Sequence, residues 1–229
     1  NSTIEKNLQS GILLLNSSSI IDSVNLLDNE IVPGYYPQGG EGIYIQGGSP
    51  RIANSYFRGN AYGVKIQQWW NELNEAFSPS PVIENNNFEQ NEKPIYVYDN
   101  SHPSFANNTA TDNDLNAIIV AGNITSDTIW QKDLTYVVMS YISVYQNATL
   151  TINPGAVVKF YDGYSGMVMK GTLKAIGVSD TPIVFTALND DEYGGDTNNN
   201  DGQNSATPGS WLGISFQNDA TNLSELSHT

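Results

Sequence analysis

Cysteine is absent from this chain, which removes a disulfide framework and thiolate metal sites together. A fold without covalent staples must hold by packing and by ladders of hydrogen bonds. Basic residues are scarce as well: 9 Lys and Arg face 24 Asp and Glu, for a formal charge of −15. That balance argues against nucleic acid or anionic lipid as a partner. No apolar run approaches membrane-spanning length, so membrane insertion of this segment is not expected. No charged-then-apolar leader opens the chain either, and it is expected to be an excerpt or processed piece of something longer. Amphipathic helical periodicity of adequate length is missing throughout, which leaves an all-β fold. The two histidines, His102 and His228, stand too far apart in the pattern described next to imply a catalytic triad.

What is abundant is asparagine, and it is spaced. Asn7, Asn29, Asn60, Asn91 and Asn113 follow one another at intervals of 22, 31, 31 and 22 residues. A second column, Asn1, Ser23, Asn54, Asn85 and Asn107, repeats the same intervals, and so does the apolar column Ile4, Leu26, Phe57, Phe88 and Ala110. Only a solenoid sets residues so distant in sequence directly above one another. Each coil then rises by one strand spacing, roughly 4.8 Å. Inside such a stack each asparagine amide donates to one neighbouring coil and accepts from the other, so both columns are expected to be ladders.

Alternating strands recur at 11–16, 42–47, 62–67, 94–99 and 116–122. Their period of two points Ile12/Leu14, Ile43/Ile45, Val64/Ile66, Ile95/Val97 and Ile118/Val120 inward. It leaves Leu13/Leu15, Tyr44/Gln46, Lys65/Gln67, Tyr96/Tyr98 and Ile119/Ala121 outward. A further inward column is Ile21, Ile52, Ile83 and Phe105. Two insertions, 32–41 and 68–80, are expected to flank the outward face. Residues 1–127 therefore read as parallel β-helix repeats. From 128 to 229 the strands shorten, giving a second β-rich module with one long acidic loop at 189–208.

These repeats resemble a known architecture. The pattern Gly-Ile-x-φ-x-x-Ser/Gly-x-x-x-Ile-x-Asn-x-x-Phe-x-x-Asn, running from Gly42 to Asn60, resembles the right-handed parallel β-helix of pectate-lyase-like proteins. Trp130, Ala148-Thr-Leu-Thr-Ile-Asn-Pro-Gly, Thr181-Pro-Ile-Val-Phe-Thr and Pro208-Gly-Ser-Trp-Leu-Gly-Ile are similar to a segment of large secreted and cell-surface β-helix proteins of bacteria and archaea. The resemblance implies an extracellular or cell-surface location. It also implies that any chemistry sits on the outward face of the repeating strand. It does not choose among lyases, hydrolases, epimerases, adhesins and inert stalks.

On that face Tyr44, Tyr96 and Tyr98, with Trp69 and Trp70 in the second insertion, form a candidate platform for sugar rings, whose C–H faces pack on aromatics. Gln46, Lys65 and Gln67 supply partners for hydroxyls. Acid–base catalysis needs paired groups of separated pKa, whereas this stripe offers Lys65 and, at its margin, Asp99. No catalytic residue is assigned. The expected function is a non-catalytic structural or adhesive β-helix of a longer cell-surface or filament-forming protein. Its expected partners are polysaccharide, or other copies added end to end. The alternative is a polysaccharide lyase, glycoside hydrolase or epimerase acting on the same face.

Two further motifs stand outside the repeats. Asp196, Asn198 and Asn200 begin an Asp-x-Asn-x-Asn run of EF-hand type, with Asp190, Asp191 and Asp201 as added charge; calcium is the expected ion. The run departs from the pattern: Asp201 stands where glycine belongs, and no glutamate follows at the twelfth position. Sequons at Asn16, Asn123, Asn147 and Asn222 are candidate glycan acceptors in turns, whereas Asn1 and Asn107, as ladder positions, are expected to be unmodified.

Overall fold

A computed structural model describes residues 2–30, 39–202, 206–217 and 223–229. It is all-β, with parallel pairing between coils, and forms two compact units, 1–118 and 119–229. In the first unit four successive coils each contribute one strand to each of three parallel sheets, and a fifth adds Thr109–Thr111 to one of them. One sheet stacks Ser2–Glu5, Val24–Leu27, Tyr56–Arg58, Asn87–Glu89 and Thr109–Thr111; another stacks Ile20–Asp22, Arg51–Ala53, Val82–Glu84 and Ser104–Ala106. The third, which carries the candidate face, stacks Ile12–Leu15, Glu41–Gln46, Tyr62–Gln67 and Lys93–Tyr98.

The register follows the sequence columns residue by residue. Ile4 pairs with Leu26, Leu26 with Phe57, Phe57 with Phe88 and Phe88 with Ala110. Ile21, Ile52, Ile83 and Phe105 align in the same way. Phe57 and Phe88 are fully buried and their rings stack 4.7 Å apart. The coils close tightly because glycine begins the inward run: a Cβ on Gly63 would stand 2.5 Å from the Pro94 carbonyl oxygen and 2.7 Å from the Phe88 ring.

The first asparagine column is a ladder. Asn7 Nδ2 donates to Asn29 Oδ1 (2.8 Å), Asn29 to Asn60 (2.8 Å), Asn60 to Asn91 (2.9 Å) and Asn91 to Asn113 (2.9 Å). Each backbone N–H of the row also donates to the Oδ1 above it. Since an N–H cannot accept, this fixes which amide atom faces which way. The row ends on Asn116, whose Oδ1 takes the Asn113 amide at 3.0 Å.

The second column is corrected by one residue. Ser23, Asn54, Asn85 and Asn107 have left-handed φ of 58°, 50°, 55° and 57°, and Asn54, Asn85 and Asn107 are exposed. They turn the chain at the coil corners, a conformation asparagine tolerates better than most residues. The interior ladder is formed by their successors: Ser55 N donates to Asn86 Oδ1 (3.0 Å), and Asn86 Nδ2 to Asn108 Oδ1 (3.1 Å). Asn107 thus lies on the surface, where its Nδ2 donates to Asn85 Oδ1 at 3.3 Å, rather than in the interior ladder.

In the second unit Ile118–Ile124, Tyr136–Val144, Val157–Phe160 and Val184–Ala187 form one run of neighbours, with Gly166–Met169 pairing the latter part of Tyr136–Val144 and Ile214–Phe216 beyond it. Thr128–Trp130, Thr149–Ile152, Thr172–Ile176 and Glu225–Ser227 form the other sheet. Tyr136–Val144 is a single strand of nine residues. Trp130 and Tyr136 stack at 4.9 Å, and the buried Tyr136 hydroxyl accepts from Gln131 N at 3.0 Å. Ile119 and Ala121, expected outward, are buried at 0% and 8% exposure. The unbroken apolar run Ile118-Ile-Val-Ala marks a strand covered on both faces.

Candidate functional site

Parallel register builds the face as rows. One row is Leu13, Tyr44, Lys65 and Tyr96; the next is Leu15, Gln46, Gln67 and Tyr98. The expected residues of the sheet therefore lie side by side. A third row, Glu41, Tyr62 and Lys93, begins the strands and was missed in the sequence. Its signal was there: these residues directly precede the Gly42, Gly63 and Pro94 column.

The side chains of the three rows interlock. Gln46 Nε2 donates to the Tyr44 hydroxyl (3.0 Å), which donates to Gln67 Oε1 (3.0 Å). Lys65 Nζ donates to Glu41 Oε1 at 3.2 Å, and Ser10 Oγ to Glu41 Oε2 at 2.9 Å. The Glu41 side chain is only 1% exposed, so its charge is held by those two partners. The Lys65 ammonium also lies over the rings of Tyr44 (4.6 Å) and Tyr62 (5.1 Å), the latter shared with Lys93. Tyr62 and Tyr96 pack at 5.6 Å, and Tyr96 stacks with Tyr98 at 6.2 Å. A concavity of about 280 Å³ opens beside this network, lined by Ser10, Leu13, Glu41, Tyr44 and Gln46.

Burial raises the Tyr44 and Tyr62 phenols above their ordinary range, with the Glu41 carboxylate adding to it; burial pushes Tyr96 up to about 12. All three stay neutral hydroxyls at physiological pH. What the face offers is neutral rings, two amides and two lysines, one of them already bonded to a carboxylate. Chemically it can stack rings and exchange hydrogen bonds with hydroxyls.

The second insertion forms a short hairpin, Trp69–Trp70 against Ala76–Phe77. Its turn is held by Asn71 Oδ1, which accepts from the backbone N–H groups of Leu73 and Glu75 at 2.9 Å each. Trp69 packs on Phe77 with ring centres 5.3 Å apart, so that ring is committed to the hairpin; Trp70 is 58% exposed. Residues 32–38 of the first insertion lie outside the described residues.

The acidic loop is organised by Asp196, whose carboxylate accepts from Asn200 N (2.9 Å) and Gly202 N (3.1 Å). Asp190 accepts from the Thr186 hydroxyl and from Glu192 N. Lys159 is fully buried beneath the loop and donates to the Gly195 carbonyl oxygen at 2.8 Å. Burial lowers its pKa, opposed by the charges of Asp191, Asp190 and Asp196. Asp201 is exposed, in a left-handed turn with φ 62°. Among the described residues no three acidic, histidine or cysteine side chains converge as a metal cluster. A separate groove of about 430 Å³ follows the asparagine corner, lined by Glu30, Gln90, Glu92, Asp112 and Asp114. The ladder amides beneath it are already paired.

Of the sequons, Asn16 and Asn147 are exposed with left-handed φ of 44° and 68°. Asn123 is exposed on the strand Ile118–Ile124 rather than in a turn. Asn1 and Asn222 lie outside the described residues. No described helix is long and apolar enough to cross a membrane.

Comparison with known proteins agrees with this architecture. Residues 1–153 match the family model described as "Right handed beta helix region", and residues 122–205 match "Pectate-lyase like beta helix domain". "Protein bark beetle" of Drosophila melanogaster is 28% identical over 134 residues, which are 55% of this chain and 4% of that protein. No solved structure matches the chain.

Proposed function

The chain belongs to the right handed beta helix family, and from that premise we propose that it is a non-catalytic, extracellular module of a longer cell-surface or filament-forming protein that holds neutral polysaccharide on its third sheet. The observation that carries this reading is the pair of in-register rows, Tyr44-Lys65-Tyr96 and Gln46-Gln67-Tyr98. They set rings and amides at the strand spacing along a flat, half-exposed surface. A net charge of −15 disfavours a polyanion, and the Lys65 charge is spent on Glu41. Hydroxyl-rich, uncharged sugars suit what remains. A lyase base would need a free amine, whereas Lys65 is hydrogen-bonded and roofed by two rings. Membership of a longer protein is supported by the small share of the matched relative that the chain spans.

The test is a glycan array of neutral and acidic polysaccharides, followed by calorimetry on the hits and a reducing-end and unsaturated-product assay. The reading requires a neutral glycan that binds, is not cleaved, and loses at least about tenfold affinity in Tyr96→Ala, whose truncation removes one stacking ring. No hit on the array would leave a structural spacer; cleavage products would establish an enzyme. Either result overturns the proposal.

A further inference from the structure

Among the described residues, three oxygens in the acidic loop are sealed from solvent without a hydrogen-bond partner: both carboxylate oxygens of Asp191 and Oδ1 of Asn198. Polar atoms left so are rare, because each forfeits its hydration without compensation, and for a carboxylate the loss is largest. Asn198 Oδ1 is orphaned for a definite reason. Its Nδ2 donates to Asn189 Oδ1 at 2.8 Å, which fixes the amide with its oxygen directed elsewhere. The same bond ties the arm carrying Asn198 to residue 189, two positions before Asp191, so the orphaned oxygens belong to two arms that the loop draws together.

The surrounding charge points the same way. Residues 189–202 contain Asp190, Asp191, Glu192, Asp196 and Asp201 and no Lys or Arg. Lys159 is the cation beneath them, yet the hydrogen bond its ammonium makes here goes to the Gly195 carbonyl. No ion pair joins it to Asp191 among the described residues. Asp190 and Asp196 already serve hydrogen bonds that shape the loop.

We propose that this loop binds one calcium ion, with Asp191 and the Asn198 carbonyl oxygen as its side-chain ligands and Asp196 as the residue that holds the loop in shape. Carboxylate and amide oxygens with no sulfur or imidazole are hard donors that suit calcium rather than zinc or copper. A larger ion with flexible coordination also fits an irregular loop better than magnesium, which demands a near-ideal octahedron. With so few carboxylates converging, backbone carbonyls and water complete the shell. Affinity is then weak, on the order of 10⁻⁴–10⁻³ M, the range of extracellular modules. Of the six residues the sequence motif nominated, Asp191 and Asn198 become ligands, Asp190 and Asp196 are scaffolding, Asn200 gives its backbone N–H to Asp196, and exposed Asp201 is dispensable.

Calorimetry of the chelator-stripped protein with calcium chloride, magnesium chloride as the comparison, tests this. Expected are one calcium per chain, magnesium binding at least about tenfold weaker, calcium heats lost in Asp191→Asn and weakened in Asn198→Ala, and heats retained in Asp201→Asn. Absent calcium heats in the parent protein, unchanged heats in Asp191→Asn, or equal affinity for magnesium overturns the proposal. Should Asp191→Asn fail to fold by circular dichroism, the parent protein decides alone: its melting temperature must rise in calcium relative to chelator, and an unchanged value overturns the site.

Discussion

Replacing Asn60 by alanine strikes the ladder at its centre. The Asn60 side chain accepts from Asn29 N at 3.2 Å and Asn29 Nδ2 at 2.8 Å, and it donates to Asn91 Oδ1, Leu26 O and Arg58 O at 2.9, 3.0 and 3.2 Å. Alanine removes all five. Two buried donors of Asn29, itself 0% exposed, lose their acceptor and no water can reach them. At about 1–3 kcal/mol for each buried group left unpaired, the loss is about 4 kcal/mol, near the upper end for one substitution. In a chain of this size about 4 kcal/mol lowers the melting temperature by about 8–16 °C. Asn54→Ala is the control, since Asn54 shares the period but turns an exposed corner. Its cost is the left-handed backbone, about 1 kcal/mol, with a small addition for its exposed hydrogen bond to Asp22, and Asn54→Gly should cost less still. Urea unfolding followed by both circular dichroism and tryptophan fluorescence measures all three, the two probes checking whether the coils unfold together. An Asn60→Ala variant within about 1 kcal/mol of the parent, or one no worse than Asn54→Ala, would refute the idea that the amide row bears the stack.

Two further outcomes follow from the face. Lys65→Met leaves the buried Glu41 carboxylate with Ser10 as its named partner and should cost about 2–3 kcal/mol, below the full value for a broken buried pair because Lys65 is partly exposed. Adding Glu41→Gln should recover much of that in a double-mutant cycle; additive losses would mean that the pair is not coupled. On alkaline titration, the phenols of Tyr96 and Tyr136 should ionise late, since burial raises both, Tyr96 to about 12. A phenol with a raised folded pKa contributes stability that is whole below the ordinary value near 10, and that fades as pH climbs from about 10 toward about 12. Phenolate absorbance should therefore show a delayed fraction that appears together with unfolding by circular dichroism. All 13 tyrosines titrating in one wave with the fold intact would contradict it.

Periodicity made the interior unusually readable. Column spacing gave the partners of Phe57, Phe88 and Ile52 to the residue, because a solenoid converts sequence distance directly into height. It failed where two neighbours share one period. Asn85 and Asn86, like Asn107 and Asn108, recur together, and spacing alone cannot say which turns the corner and which points inward; backbone handedness decides that. Alternation failed at Ile119 and Ala121 because it presumes one wet face. On the surface, the stripe Tyr44-Lys65-Tyr96 was legible from alternation. The clamp of Glu41 on Lys65 was not, since side chains that begin a strand reach sideways along the sheet. In the acidic loop the motif supplied six candidate ligands, but which oxygens remain without a partner is a property of the folded loop and has no trace in composition.

The amide row has an arrow. Asn7, Asn29, Asn60 and Asn91 each send one side-chain N–H to the amide oxygen of the next winding, and Asn116 receives the link from Asn113. Group dipoles arranged nose to tail polarise one another in the same sense, so whole turns can be duplicated or deleted and the line heals. A unit inserted backwards would press two oxygens together and break the current. Chains of this kind can thus change length freely through evolution while keeping one orientation, and Asn116, which folds the last link back on its own coil, works as a full stop.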